Sequence, residues 1–157
     1  MVKQVETSRE IVIRRTVNAP RELVFDVWTN PEHIPHWWGP DGFRTTIFEI
    51  DVRPGGEWRY TMHGPDGRDY RNHIVFVEVS RPERLVYRNV PEAGTEPVQF
   101  ESIVTFDAAG DKTEVTLRMV FPTAKQREFV ATQYGAVEGG RQHLGRLAAY
   151  TEGLERE

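Results

Sequence analysis

The middle of this 157-residue chain consists of segments in which apolar and polar residues alternate, each bounded by a turn signal. Alternation with a period of two places the apolar side chains on one face of a β-strand. Turns such as Gly64-Pro65-Asp66-Gly67 join neighbouring strands as hairpins. The six strands predicted here are Phe43–Val52, Glu57–Met62, Tyr70–Val79, Leu85–Asn89, Val98–Phe106 and Thr113–Phe121. The pattern predicts an antiparallel meander with one apolar face that another element must cover.

Other elements are predicted on both sides of this meander. The β-branched segment Glu10–Val17 predicts a first strand, and a short helix begins after Asn18-Ala19-Pro20 and runs to about residue 29. A second short helix is predicted over Glu32–Trp37. Apolar residues at helical spacing predict one long helix over Thr123–Leu154. Gly139-Gly140 interrupts its apolar stripe and indicates a kink or a place where bulk is excluded.

The order of elements predicts an α+β fold, in which a curved antiparallel sheet of about six to seven strands wraps on a long C-terminal helix. A helix of about 30 residues spans about 45 Å, which is enough to cross the sheet. A strongly curved sheet and a single helix do not pack flush, so we expect a cavity between them, where a small ligand can bind. We expect one domain over residues 1–157, with residues 1–9 as a flexible N-terminal tail.

Composition argues against several classes of function. The chain has no cysteine, which excludes disulfides, thiolate nucleophiles and sulfur-ligated zinc. Its formal charge is −4, so we expect no nucleic-acid partner. No apolar run approaches the roughly 20 residues that cross a bilayer, and we expect no secretion signal at the N-terminus. The expectation is a cytoplasmic protein with no cofactor and no bound metal.

Sequence motifs for nucleophilic, nucleotide or zinc-hydrolase chemistry are missing. The chain has no Gly-x-Ser-x-Gly elbow, no phosphate-binding glycine loop and no His-Glu-x-x-His motif. His33 and His36 have a spacing that could bind a metal, but no third ligand is evident nearby and a solvated helix face is the better interpretation. General acid–base catalysis stays open, with Glu101 and Glu138 as acids only if their side chains turn inward.

Aromatic residues are the most suggestive candidates for a ligand cavity. Aromatic walls with a few hydroxyl groups suit a flat apolar ligand, although most aromatic residues of a small domain serve as core. Trp58, Tyr60 and Met62 alternate on one face of their strand, and we expect that face to point inward. The full set of cavity candidates is Trp28, Trp38, Trp58, Tyr60, His73, Tyr87, Phe100, Met119, Tyr134 and Gly140.

The direction of His73 depends on the register of the hairpin around residues 64–67. A two-residue loop would pair His73 with Trp58 and point it into the cavity. A three-residue loop, Pro65-Asp66-Gly67, would instead place Ile74 opposite Trp58 and send His73 outward. The inward alternative is slightly favoured, with His73 as a hydrogen-bonding group at the base of the cavity.

Several motifs, in order along nearly the whole chain, resemble one protein family. They are Ala19–Glu32, Trp37–Pro40, Arg53–Gly56 with Trp58 and Tyr60, Arg81–Leu85, Val104–Phe106, Thr113–Leu117 and Leu144–Leu147. Together they resemble the activator-of-heat-shock-protein-ATPase homologue family of the START-like superfamily, which is also called SRPBCC. The resemblance implies the helix-grip fold of the birch pollen allergen.

The resemblance also implies candidate functions. Members of this superfamily bind lipids, sterols, polyketides or hormones, and some cyclise polyketides. Our first hypothesis is binding of a small hydrophobic or aromatic ligand between the sheet and the C-terminal helix. Members often carry a tryptophan where this chain has Gly139-Gly140, so the glycines imply an enlarged or reshaped cavity.

Two further hypotheses stay open. The second is a polyketide cyclase or hydratase-like enzyme, which a cavity residue titrating near neutral pH would favour. The third is a co-chaperone-type interaction protein, which an exposed apolar patch around Trp37-Trp38 would favour. The oligomeric state is also open, with a homodimer as one alternative.

Overall fold

A computed structural model of the chain describes residues 9–90, 100–133 and 135–155. Seven antiparallel strands form one curved sheet in the order β1-β7-β6-β5-β4-β3-β2. The strands are β1 Glu10–Val17, β2 Arg44–Ile50, β3 Glu57–His63, β4 Asp69–Ser80, β5 Arg84–Val90, β6 Phe100–Ala109 and β7 Lys112–Val120. Strands β2 to β7 form the meander, and β1 adds to its last strand. The predicted sheet and strand number are confirmed, while most of the expected tail, residues 1–8, lies outside the described residues.

Helices lie before and after the meander. They are α1 Arg21–Thr29, a single 3₁₀ turn Ile34–His36, α2 Ala124–Gln133 and α3 Ala136–Glu155. The two short helices after β1 are confirmed, but the single long helix predicted over Thr123–Leu154 is wrong. The break lies at Gly135, whose φ of +59° suits a glycine that follows the end of a helix. Gly139 and Gly140 instead lie inside the first turns of α3.

The core lies between the inner face of the sheet and α3. Burial alternates along β7, where Thr113, Val115, Leu117 and Met119 point inward. From α3, the large side chains that enter the core are Leu144 and Leu147. The helix α1 adds the side chains of Val24, Phe25, Val27 and Trp28. The apolar residues are therefore where alternation and helical spacing predict them.

The close approach of α3 to β1 explains one of the two glycines. A Cβ atom built on Gly140 would collide with Cδ1 of Ile13 and lie 3.9 Å from Cε of Met119. Glycine thus lets the helix backbone rest directly on a side chain of the sheet. Bulk is thus excluded at Gly140, as one of the two sequence interpretations predicted. The space that Gly140 leaves is filled by Ile13, so the enlarged cavity that the family resemblance implied as one alternative does not form beside this glycine.

The outer face of the sheet carries charged side chains that form ion pairs both between strands and along one strand. Arg118 donates from Nε to Oε1 of Glu10 at 2.7 Å, and Arg59 contacts both Glu49 and Glu57. Such exposed pairs contribute little stability each. Within the described part of the chain, no helix is long and apolar enough to cross a membrane.

Candidate functional site

Five of the predicted cavity residues meet in the interior, and we call them the aromatic cluster. They come from four separate elements, and each keeps at most 5% of its surface exposed. The members of the aromatic cluster are Trp28 of α1, Trp38 after the 3₁₀ turn, Trp58 and Tyr60 of β3, and Tyr87 of β5. Their convergence creates a wall of rings that also carries five polar atoms.

Ring contacts hold the aromatic cluster together around Trp38. The Trp38 ring lies 5.8 Å from Trp28, 4.6 Å from Trp58 and 5.9 Å from Tyr60, measured between centroids. All three contacts are edge-to-face, which is a favourable arrangement for aromatic quadrupoles. Trp58 and Tyr60 are neighbours on the inner face of β3, 4.5 Å apart. Trp38 therefore bridges the α1 side and the β3 side of the site.

The two tyrosine hydroxyls of the aromatic cluster stay protonated. Burial raises the pKa of both Tyr60 and Tyr87 well above the usual value near 10. The nearby Tyr87 adds to this rise at Tyr60, whereas the Trp38 indole acts in the opposite direction. The Ser102 hydroxyl and the Trp28 indole act on Tyr87 in the opposite direction. The polar part of the site is consequently a set of neutral groups.

Two indole N–H donors of the aromatic cluster have no acceptor among the described residues. They are Nε1 of Trp28 and Nε1 of Trp58, and both atoms are buried. The Trp28 indole lies near enough to the Tyr87 hydroxyl to lower its pKa, but it does not reach hydrogen-bond geometry. Trp37 differs, because its Nε1 donates to the carbonyl oxygen of Val27 at 3.1 Å. A buried donor without an acceptor costs about 1–3 kcal/mol, so such groups are rare in native interiors. The two free donors are the most unusual feature of this core.

His143 of α3 also belongs to this region, and sequence reasoning missed it. Its ring lies 4.4 Å from Trp38, 4.9 Å from Trp37 and 5.5 Å from Trp28. Its Nδ1 accepts the backbone N–H of Gly39 at 3.0 Å, which places the ring proton on Nε2. Burial, aided by the charge of Arg146, lowers the pKa of His143 to about 3. The sequence feature that could have identified His143 is its position one turn before Leu147, on the buried side of the last helix.

Arg146 fixes the loop that carries Trp38. Its Nη1 donates to three successive carbonyl oxygens, those of Trp38 at 3.2 Å, Gly39 at 3.1 Å and Pro40 at 2.8 Å. One turn earlier, Oε1 of Gln142 accepts the backbone N–H of Asp41 at 3.1 Å. The helix α3 therefore binds the 38–41 loop through side chains and sets the position of the Trp38 ring.

The inward direction expected for His73 is wrong. The N–H of Gly64 donates to the carbonyl of Arg68 at 2.8 Å, which leaves the three-residue loop 65–67. In the resulting register Trp58 lies opposite Ile74, and His73 lies opposite Arg59 on the outer face. There Nε2 of His73 contacts Oε1 of Glu57 at 2.7 Å. His73 is thus part of the charged outer surface.

The remaining cavity candidates lie around the aromatic cluster or outside the described residues. Phe100 packs against Phe121 with centroids 5.0 Å apart, two residues before the buried Ser102 on the same face of β6. Met119 pairs with Ser102 across β6 and β7. Tyr134 lies outside the described residues, so its predicted place in the cavity stays a prediction.

The acidic and histidine alternatives lie away from the interior. Glu101 faces Arg88 on the outer side of the sheet at 3.5 Å, and Glu138 pairs with Arg141 on the exposed side of α3. His33 shares a hydrogen bond of 2.8 Å with the hydroxyl of Tyr150. In residues 9–90, 100–133 and 135–155, no group of three or more His, Asp or Glu side chains could hold a metal ion.

Comparison with known proteins agrees with this architecture. The profile of the family described as "Activator of Hsp90 ATPase homolog 1-like protein" matches residues 18–152. A crystal structure from Nitrosomonas europaea is 22% identical, with a TM-score of 0.86, and the match covers 98% of this chain and all of that one. A solution structure from Arthrobacter aurescens is also 22% identical, with a TM-score of 0.85 and coverage of 93% and 87%.

A third structure, from Chromobacterium violaceum, is 21% identical with a TM-score of 0.81, and the match covers 92% of this chain and 97% of that one. At these identities the likeness concerns the fold. No curated protein matches the chain. The family profile spans most of the sequence and all of the elements that form the aromatic cluster. The chain therefore belongs to the activator of Hsp90 ATPase homolog 1-like family.

Proposed function

We propose that this protein binds a small hydrophobic or aromatic molecule between the inner face of the sheet and the C-terminal helix. The observation that supports this most strongly is the pair of buried indole donors, Trp28 and Trp58, without acceptors in the described residues. A core that serves packing alone gains nothing from such donors, because each costs about 1–3 kcal/mol. A ligand that enters the aromatic cluster removes that cost.

The rings of the aromatic cluster supply the affinity in this proposal. Apolar area removed from water contributes roughly 25 cal/mol per Å², and a flat ligand meets ring faces and edges on several sides. The side chains come from α1, β3, β5 and the loop bound by α3, so the wall is preorganised by the fold. Preorganisation lowers the entropy cost of binding.

Titration behaviour favours binding over catalysis. A general acid or base works best with a pKa near the working pH. Burial moves the pKa of Tyr60 and Tyr87 upward and that of His143 down to about 3, so these three groups hold their protons in one state at neutral pH. The polyketide cyclase or hydratase alternative therefore has no support from them.

The surface around Trp37 and Trp38 likewise gives no support to a co-chaperone role. Trp37 is fully buried and Trp38 keeps 5% of its surface exposed. The apolar patch that a protein partner would need is therefore missing at this place. We infer one ligand-binding domain, with a hydrophobic small molecule as its partner.

A matched pair of variants tests this proposal with the neutral dye Nile red. Ser102→Leu adds bulk beside Tyr87 on the inner face, whereas Thr105→Leu makes a similar change on the outer face of the same strand. We expect the wild-type protein and Thr105→Leu to enhance Nile red fluorescence, and Ser102→Leu to lose at least tenfold in affinity while keeping its circular dichroism. Equal uptake by both variants would contradict the proposed site.

A further inference from the structure

The interior donors of Trp28 and Trp58 carry information about the ligand beyond its apolar character. Both residues are 1% exposed, and neither Nε1 has a hydrogen-bond partner among the described residues. The site thus offers hydrogen-bond donors, and an indole N–H cannot accept. A purely hydrocarbon ligand would leave both donors unsatisfied and would keep their cost in the complex.

The groups around these donors are uncharged. The Trp28 indole adjoins the Tyr87 hydroxyl, which interacts with Tyr60, and Tyr60 packs against Trp58. Each of these side chains is neutral at physiological pH, and Ser102 beside Tyr87 is neutral as well. A carboxylate placed there would lose its hydration without gaining a cation from these five residues, which is strongly unfavourable. A neutral acceptor has no such penalty.

We propose that Trp28 and Trp58 donate hydrogen bonds to the ligand, and that the site selects flat apolar compounds bearing a neutral carbonyl oxygen, such as ketones, quinones or lactones. This inference rests on the proposed function, since it names the chemical class that the same site takes. A phenolic ligand fits this site only if its hydroxyl oxygen accepts a hydrogen bond from one of the indole N–H groups. Carboxylates of the same size are excluded.

A site without hydrogen-bond donors should prefer the hydrocarbon over the ketone. A carbonyl makes a compound less apolar than its hydrocarbon parent, so burial alone would favour the parent. A net hydrogen bond contributes about 0.5–1.5 kcal/mol, which corresponds to about two- to twelvefold in affinity. A preference for the ketone therefore reports on the indole donors rather than on hydrophobicity.

Three compounds of similar shape separate these effects: fluorene, 9-fluorenone and fluorene-9-carboxylate. Each is titrated into the ¹⁵N-labelled full-length protein, and the four indole N–H resonances are followed by NMR. We expect 9-fluorenone to bind about three- to tenfold more tightly than fluorene, and the carboxylate at least tenfold more weakly than 9-fluorenone. The resonances of Trp28 and Trp58 should move downfield with 9-fluorenone only.

Trp37 provides an internal control in the same spectra. Its indole already donates to Val27, so its resonance should move no further with 9-fluorenone than with fluorene. Trp58→Phe keeps a ring but removes one donor, so it should lower the ratio of 9-fluorenone affinity to fluorene affinity, whatever it does to the affinity for fluorene itself. If this variant does not fold, the wild-type indole shifts alone decide the result.

The outcomes distinguish this inference from the proposed function. Fluorene binding as tightly as 9-fluorenone, with unmoved Trp28 and Trp58 resonances, would overturn the carbonyl selection and leave ligand binding intact. Tighter binding of the carboxylate than of 9-fluorenone would overturn it too. So would a long-lived water molecule that stays hydrogen-bonded to the indole N–H groups when 9-fluorenone is bound. Failure of all three compounds to bind would overturn both proposals.

Discussion

The backbone N–H of Gly39 donates to Nδ1 of His143 at 3.0 Å, which joins the loop after the 3₁₀ turn to the last helix. The bond requires an unprotonated Nδ1, and the surrounding indole rings of Trp37 and Trp38 offer no hydration to a charged imidazole. The fold therefore holds His143 neutral. The same contact places Trp38 in the aromatic cluster, so the protonation state of one histidine bears on the geometry of the proposed site.

A loss of stability at mildly acidic pH follows from His143. Its pKa is about 3 in the folded protein and about 6.5 when unfolded, so the unfolded state binds more protons between these values. The stability that neutral His143 contributes is fully present above about pH 6.5 and is lost as the pH falls toward its folded-state pKa of about 3. At pH 5 the loss is on the order of 2 kcal/mol.

Urea unfolding at pH 7 and pH 5 measures this effect, with His143→Gln as the neutral comparison. The wild-type free energy of unfolding should drop more than that of the variant, by about 2 kcal/mol. The variant should also be less stable at pH 7, because it loses ring contacts with three tryptophans. The same pH dependence in both proteins would show that His143 titrates normally.

Arg146 should stabilise the protein more than a typical surface arginine. Its Nη1 donates to three carbonyl oxygens, and hydrogen bonds to a charged group contribute about 1.5–3 kcal/mol. We expect Arg146→Ala to lower the free energy of unfolding by about that amount and to change tryptophan fluorescence as Trp38 is released. Arg141→Ala on the exposed side of α3, paired with Glu138 at 3.6 Å, should change stability by less than about 0.5 kcal/mol. Equal effects of the two substitutions would contradict the role of Arg146.

Two glycines of α3 should respond in opposite directions to replacement by alanine. Alanine favours a helix by about 1 kcal/mol, and at Gly153 the added Cβ meets no described atom within 4 Å apart from its chain neighbours and the backbone of its own helix. At Gly140 the added Cβ collides with Cδ1 of Ile13, and overpacking costs about 1–3 kcal/mol. Gly153→Ala should therefore raise the melting temperature and Gly140→Ala should lower it.

The contact with Ile13 can be tested separately. Ile13→Val removes the colliding Cδ1 atom, so the double variant with Gly140→Ala should lose less stability than the sum of the two single variants. Strict additivity would mean that the two residues do not meet as described.

Local patterns predicted the sheet well because its strands follow simple rules. Alternation along β3 placed Trp58 and Tyr60 on the inner face, and the outer residues Arg59 and Glu57 form the charged pairs expected of an exposed surface. The short helix α1 followed from its apolar spacing, which brought Trp28 into the site. These features depend on the residues of one segment at a time.

The features that sequence analysis missed depend on contacts between distant segments. The glycine pair was compatible with a kink or with a place where bulk is excluded, and only the contact of Gly140 with Ile13, about 130 residues earlier, decides for excluded bulk. The register of His73 depended on the loop length at residues 65–67, which the local pattern left open. His143 becomes part of the site only where three tryptophans from other elements meet it.

The most direct test of ligand binding is native mass spectrometry of the freshly purified protein, compared with its mass after denaturation. The proposed function predicts a noncovalent adduct of a few hundred daltons in the native spectrum that disappears on denaturation. The released compound should be flat, apolar and uncharged, with a carbonyl oxygen. A native mass equal to the denatured mass, together with no uptake of Nile red, would contradict the account of this interior as a binding site.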